Sequence, residues 1–238
     1  QHWYRYHHLF ADVLRAHLTT EEPDQLFILH RRASAWFAQN GSAPEAIHHA
    51  LAAEDFEQAA ILIERAVPAT RQNRQDAMLL RWLQALPDEV LRHRPLLNAH
   101  YVGVLLQSGQ LDGVEARLQD AERWVDEGAG TPPIFADEVE FQRLPSLIAM
   151  YHAAIALVRG DMAGAMSHAR RVVELAREDD DFVRGAASSL LGLAAWTSGD
   201  LETAYRTYAA GMAYLQKAGY IADVVGGSVA LSDIRLTQ

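Results

Sequence analysis

The chain has 238 residues, half of them hydrophobic, with no cysteine and a formal net charge of -10. That length can bury a real core, as one large domain or two small ones. The absence of cysteine excludes disulfides and thiolate metal sites. The acidic balance argues against nucleic-acid binding, which needs a local excess of Lys and Arg.

Lys217 is the one lysine, and Arg31-Arg32 and Arg170-Arg171 are the adjacent arginine pairs, which read as solvated helix faces. No apolar run approaches the ~20 residues that cross a bilayer. A chain without cysteine fits a reducing compartment, and the expected location is the cytoplasm. The start, Gln1-His2-Trp3-Tyr4-Arg5, carries neither Met nor a signal-peptide pattern and enters in mid-element, which reads as a segment of a longer protein.

Helical periodicity runs through the chain. Trp3, Tyr6, Leu9, Phe10, Val13, Leu14 and Leu18 trace one face of a first helix. Pro23 then opens a second, with Leu26, Leu29, Ala33, Trp36 and Phe37 inward and Asn40-Gly41 as its stop. Pro44 sits in the first turn of a third, and Phe56, Ala59, Ala60, Ile63 and Val67 mark a fourth that Pro68 is expected to end. Met78, Leu79, Trp82, Leu83 and Leu86 follow, broken by Pro87. No run of alternating strand residues stands out.

An internal repeat organises the remainder. Gly160-Asp161-Met162-Ala163-Gly164-Ala165 returns as Gly199-Asp200-Leu201-Glu202-Thr203-Ala204, and Gly109-Gln110-Leu111-Asp112-Gly113-Val114 is an earlier copy, at spacings of roughly 40 and 50 residues. Glu54-Asp55-Phe56-Glu57-Gln58-Ala59 and Gly41-Ser42-Ala43-Pro44-Glu45-Ala46 are weaker copies. In each, the Gly can close one helix in a left-handed cap, the following Asp, Gln or Ser can cap the next, and a small residue lets the two cross closely. The expected first helices are Leu96 to Gln107, Leu144 to Val158 and Arg184 to Thr197, and the second helices are Leu111 to Trp124, Met162 to Ala176 and Leu201 to Lys217. Paired helices at this spacing resemble the tetratricopeptide architecture, although the usual early Trp is missing and the period is irregular. The expected fold class is therefore all-α, with antiparallel helix hairpins stacked as a TPR-like right-handed superhelix, an α-solenoid. Glu127 to Pro133 reads as a Gly/Pro loop, and Glu178-Asp179-Asp180-Asp181 as a solvated acidic connection.

Catalytic signatures are missing. Lys217 is followed by Ala218, so there is no P-loop, and neither a Gly-x-Ser-x-Gly elbow nor a His-Glu-x-x-His helix occurs. The adjacent pairs His7-His8 and His48-His49 point about 100° apart on a helix, which suits solvated or capping histidines rather than chelation. The segment is expected to be no enzyme and to hold no metal or cofactor.

Four stretches, in order, resemble the MalT-like, LuxR-type large transcriptional regulators: Trp3 to Arg15, His30 to Phe37, Ala46 to Asp55, and Leu80 to Leu91. The resemblance implies that residues 1–70 correspond to the end of a winged-helix/ATPase module and its linker, and residues 71–238 to a TPR-like sensor or interaction domain. It also implies an ATP- and Mg-binding STAND-type ATPase domain and a DNA-binding helix-turn-helix outside this segment, with inducer and ATP driving self-association. The partner would be a small-molecule inducer or a protein, with no direct contact to nucleic acid or membrane.

Counting back from each Gly turn gives a candidate concave wall: Ala99, Gly103 and Leu106; Met150, Ala154 and Leu157; Ser189, Leu193 and Trp196; and Asp233, with Val229 and Leu236, from a final half-repeat. Trp196 and Met150 are its large surfaces. The same apolar stripes would equally suit a packed core. Three readings stay open: an inducer sensor, a scaffold for self-assembly or an inhibitory partner, and an isolated repeat protein unrelated to transcription.

Overall fold

A computed structural model describes residues 8–125 and 133–237, and all the regular structure among them is helical. The aromatic run before His8 and most of the Gly/Pro stretch ahead of Pro133 lie outside the described residues. The chain opens with α1 (His8–Glu21), α2 (Pro23–Gln39), α3 (Ala43–Ala52) and α4 (Phe56–Gln72). Proline stands in the first turn of α2 and of α3, where its missing N–H has no helical partner to lose.

Pro68 does not end α4, contrary to the expectation from sequence. A proline removes one backbone bond, and here the helix continues to Gln72 because Val67 and Thr70, on either side of Pro68, are both buried. The Thr70 hydroxyl also donates to the Ala66 carbonyl at 2.7 Å. This extra turn carries Arg71 onto the inner side of the fold. The division drawn at residue 70 falls inside α4, and residues on both sides of it share one core.

The middle of the chain forms α5 (Asp76–Gln84), α6 (Asp88–Arg92), α7 (Pro95–Gln107) and α8 (Val114–Glu122), with α5 and α6 separated at Pro87. The last part forms α9 (Glu138–Phe141), α10 (Leu144–Val158), α11 (Met162–Leu175), α12 (Asp181–Thr197), α13 (Leu201–Lys217) and α14 (Ile221–Thr237). Neighbours in sequence pack as pairs: α2 on α3, α7 on α8, α10 on α11, α12 on α13, and α13 on α14. Across the pairs, α10 lies against α7 and α12, and α7 against α4 and α5.

The repeated turns form as chemistry dictates. Gly160 and Gly199 adopt φ of 78° and 85°, a region open to glycine without a Cβ penalty. Asp161 then accepts the Gly164 N–H at 2.8 Å, and Asp200 accepts the Thr203 N–H at 3.1 Å. In the copy at Gly109, Gln110 does not cap. The chain stays irregular to the left-handed Gly113, and α8 starts at Val114 instead of Leu111. In the weak copy at Glu54, a glutamate takes the left-handed position itself, at φ 52°.

The acidic connection is not simply solvated. Asp180 is buried, caps α12 by accepting the Val183 N–H at 3.1 Å, and receives Arg143 Nε and Nη2 at 2.6 and 2.5 Å. Arg143 also donates to Glu140. This fork ties α12 to the start of α10. His49 departs from expectation too: it stacks on Phe37 across the α2–α3 pair, and its Nδ1 lies 2.7 Å from Nδ1 of His30. Burial, followed by His30 and His48, lowers its pKa.

Small residues set the closeness of α12 and α13. A Cβ added at Gly192 would lie 2.8 Å from the Tyr208 backbone N and 2.9 Å from its Cα, and neither backbone atom can move aside cheaply. Gly226 in α14 has open space at the same atom. Gly192→Ala is therefore expected to destabilise the chain by about 1–3 kcal/mol, whereas Gly226→Ala should stabilise it by about 0.5–1 kcal/mol. Urea denaturation of the two variants beside the parent chain measures both.

Candidate functional site

A cavity of about 390 Å³ lies between the early and late helices. That is within the range that encloses a small organic molecule. Its walls come from α4 and the turn after it, α7, α10, α12, α13 and the start of α14.

Gly103, Leu106, Met150, Ala154, Leu157 and Ser189 line this cavity, so the backward count from the Gly turns finds its α7, α10 and α12 walls. The rest of the counted residues are elsewhere. Ala99 is fully buried, because α7 is apolar on every side and is enclosed by α4, α5, α6, α8 and α10. Leu193 and Trp196 are half-buried near the far end of α12, packed on the cluster around Ala204 and Tyr208. Asp233 is exposed on α14, as are Val229 and Leu236.

The polar floor was not visible in the repeat pattern. Arg71, reached by the extra turn of α4, donates from Nη1 to the Tyr151 hydroxyl at 3.1 Å. Its guanidinium stands 5.9 Å from the centre of the Phe182 ring, which in turn stacks on Tyr220 at 4.5 Å between centroids. Burial disfavours the Arg71 charge, but the neighbouring Tyr151, Tyr220 and Asp76 outweigh it, and its pKa is raised. Burial pushes the Tyr220 phenol up to about 12, so it remains an O–H donor at neutral pH. The Tyr208 phenol is pushed up as well, by burial and then by Asp223.

Gly103 permits this arrangement. A Cβ there would lie 2.4 Å from the Tyr151 hydroxyl and 2.5 Å from Arg71 Nη1. The cavity rim is bridged by two long-range contacts. Arg74 pairs with Asp223 at 2.5 Å, and the Gln72 amide donates to the Ala218 carbonyl at 3.1 Å. Arg74 adopts φ 56°, a left-handed conformation that costs a side chain roughly 1 kcal/mol.

Behind the cavity floor, His100 is buried, and its Nδ1 has no hydrogen-bond partner among the described residues. Burial, then Arg71 and Arg143, lowers its pKa to about 3. Nearby, Arg94 is buried between Glu57, at 2.7 Å, and Glu64, at 3.5 Å, and Glu64 accepts the Ala136 N–H at 2.6 Å. Burial raises the Glu64 pKa despite Arg94.

Residues 1–26 match the MalT winged helix domain family. The serine/threonine-protein kinase PknK of Mycobacterium tuberculosis is 34% identical over 164 residues, covering 62% of this chain and 15% of PknK. The PknK of Mycobacterium bovis matches to the same extent. The chain thus spans about 15% of the length of these curated relatives. No solved structure matches. MalT-like sequence therefore occupies the start of the chain, where Trp3 to Arg15 carried the resemblance, and an all-helical segment of regulator type follows it.

His100 gives the site a pH signature. Its folded pKa lies below the unfolded value of 6.5, so the unfolded chain takes up the proton first as pH falls. Stability attributable to neutral His100 is complete above about 6.5 and is lost progressively below it, by on the order of 1 kcal/mol per pH unit. In denaturation curves, the parent chain should lose stability relative to His100→Gln between about pH 6.5 and 4.5. Parallel curves for the two would remove His100 as the cause.

Proposed function

We propose that this chain is the non-catalytic, inducer-sensing helical repeat segment of a MalT-like, LuxR-family transcriptional regulator acting in the cytoplasm. The helix pairs are read as a TPR-like right-handed superhelix. Three observations support this: α7, α10 and α12 lie side by side as first helices, α8 packs on α10 and α11 on α12, and the α10–α11 and α12–α13 pairs turn on Gly-Asp caps.

The observation that carries the sensing reading is the position of the cavity. It joins α4, in the part that follows the MalT-like start, to α13 and α14 at the other end of the array. A ligand acts by binding one arrangement of these helices better than another. One held between Arg71 and Tyr220 would draw the rims closed over the Arg74–Asp223 pair, and residues 1–70 would transmit the change to an ATPase module outside this chain. ATP, Mg, promoter binding and inducer-driven self-association are assigned to that longer protein. No kinase activity, catalysis, metal or direct nucleic-acid contact is assigned to this segment.

A scaffold reading is favoured by a different observation. Ile221, Val225 and Val229 recur every fourth residue along α14 and are exposed, as is Leu236 further on. Such a stripe suits a second copy or a partner helix.

Filling the cavity separates the two. Ala154 is half-buried in its wall, and Ala154→Trp occupies the space. A metabolite screen by thermal shift should find compounds that raise the melting temperature of the parent chain by a few degrees and leave Ala154→Trp unmoved. A screen without hits, beside a concentration-dependent mass abolished by Val225→Glu, would replace the sensor with the scaffold.

A further inference from the structure

We infer that the cavity recognises an acidic amphipathic small molecule, a carboxylate or phosphate head held by Arg71 and Tyr220 with an apolar body along Met150, Leu190 and Met212. The inference rests on reading the cavity as a ligand site and adds the chemistry of the ligand.

The polar groups in the cavity are mostly donors in need of an acceptor. Arg71 spends one N–H on Tyr151, forms no ion pair among the described residues, and keeps further donors in its guanidinium fork. Tyr151 uses its oxygen to accept from Arg71, which leaves its own O–H free to donate. Tyr220 is 8% exposed, its ring is fixed on Phe182, and its hydroxyl has no hydrogen-bond partner among the described residues. Tyr208, also 8% exposed and in the same wall, is in the same condition. Two phenol hydroxyls that open on the cavity without a partner among the described residues, beside a guanidinium without an ion pair there, offer a cluster of donors that an acceptor in the cavity would satisfy.

The carboxylates of the lining do not supply it. Asp223 is held by Arg74 at the rim. Asp76 sits in the first turn of α5, where the helix N-terminus favours its charge, and it makes no ion pair with Arg71. An anion with two or more acceptor oxygens matches the guanidinium fork and the phenol together. A polyol would need acceptors around the whole space, yet the wall beyond the polar floor is largely Leu106, Met150, Leu190, Met212 and Leu215, and its Ser189 hydroxyl is spent on the Gly185 carbonyl. The two methionines make that wall adaptable to the body of the ligand.

The test uses the full chain and octanoate as probe, with octanamide as its uncharged match, titrated by NMR at neutral pH. The parent chain should bind octanoate about tenfold or more tightly than octanamide. Arg71→Met should erase that preference while leaving octanamide binding within about twofold. Tyr220→Phe keeps the ring on Phe182 and removes only the hydroxyl. It should weaken octanoate alone, and the unliganded variant should be as stable as the parent or more so, because no native hydrogen bond is lost. Tyr220→Phe carries the test if Arg71→Met does not fold. Equal binding of the two probes, or a preference that survives both substitutions, overturns the acidic head while the cavity remains a ligand site. Binding that persists unchanged in folded Ala154→Trp, or no binding of either probe, overturns the cavity reading as well.

Discussion

The architecture depends on enclosing two helices that have no polar side. Nearly every residue of α7 from Pro95 to Leu105 is buried, and α10 is buried over most of its length. Such helices cannot lie on a surface, since each would expose apolar area worth about 25 cal/mol per Å². Amphipathic helices such as α4 and α11 turn their apolar stripes inward to close around these two. The cavity is the place where closure is incomplete: α7 contributes Gly103, without a side chain, and α10 contributes the small Ala154. Arg71 and Tyr151 enter the room that Gly103 leaves.

Polar groups inside this shell are organised by arginines that join helices far apart in sequence. Arg143 links α10 to Asp180 at the α12 cap, and Arg94 links the start of α7 to Glu57 and Glu64 of α4. Buried pairs of this kind contribute little net stability, because desolvation offsets attraction. Their geometry is demanding, however, and an arrangement that leaves one partner unpaired is strongly disfavoured. They act as registers that fix how neighbouring helix pairs meet. Arg71 differs in kind: it faces a phenol and open space rather than a carboxylate.

Much of this was legible in the sequence, for reasons that are local. Gly160-Asp161 and Gly199-Asp200 specify a left-handed stop followed by a cap, and the helices on either side follow within a few residues. The walls of the cavity on α7, α10 and α12 could be counted from those turns. Other features were hidden because they are decided at long range. Reading Pro68 as a stop removed the turn that bears Arg71, and the buried residues that hold α4 together past Pro68 are supplied by packing. Tyr220 follows Gly219 in the turn before α14, and it is Phe182, from a helix far away in sequence, that fixes its ring. Trp196 and Leu193 have the right spacing for the wall and the wrong neighbours, since the end of α12 turns toward α13. The acidic run suggested solvent, and no local pattern announces that Arg143 claims Asp180.

The bridges from Gln72 to Ala218 and from Arg74 to Asp223 have a consequence for cooperativity. An open row of repeats behaves as a one-dimensional chain in which each unit feels only its neighbours and the last unit frays first. Here α13 and α14 are fastened to the end of α4 by contacts that span 146 and 149 residues, so the helices between them are closed into a loop. An exposed pair such as Arg74–Asp223 adds little energy by itself. Its effect is topological: it joins α14 to the turn after α4 directly, without the helices between them.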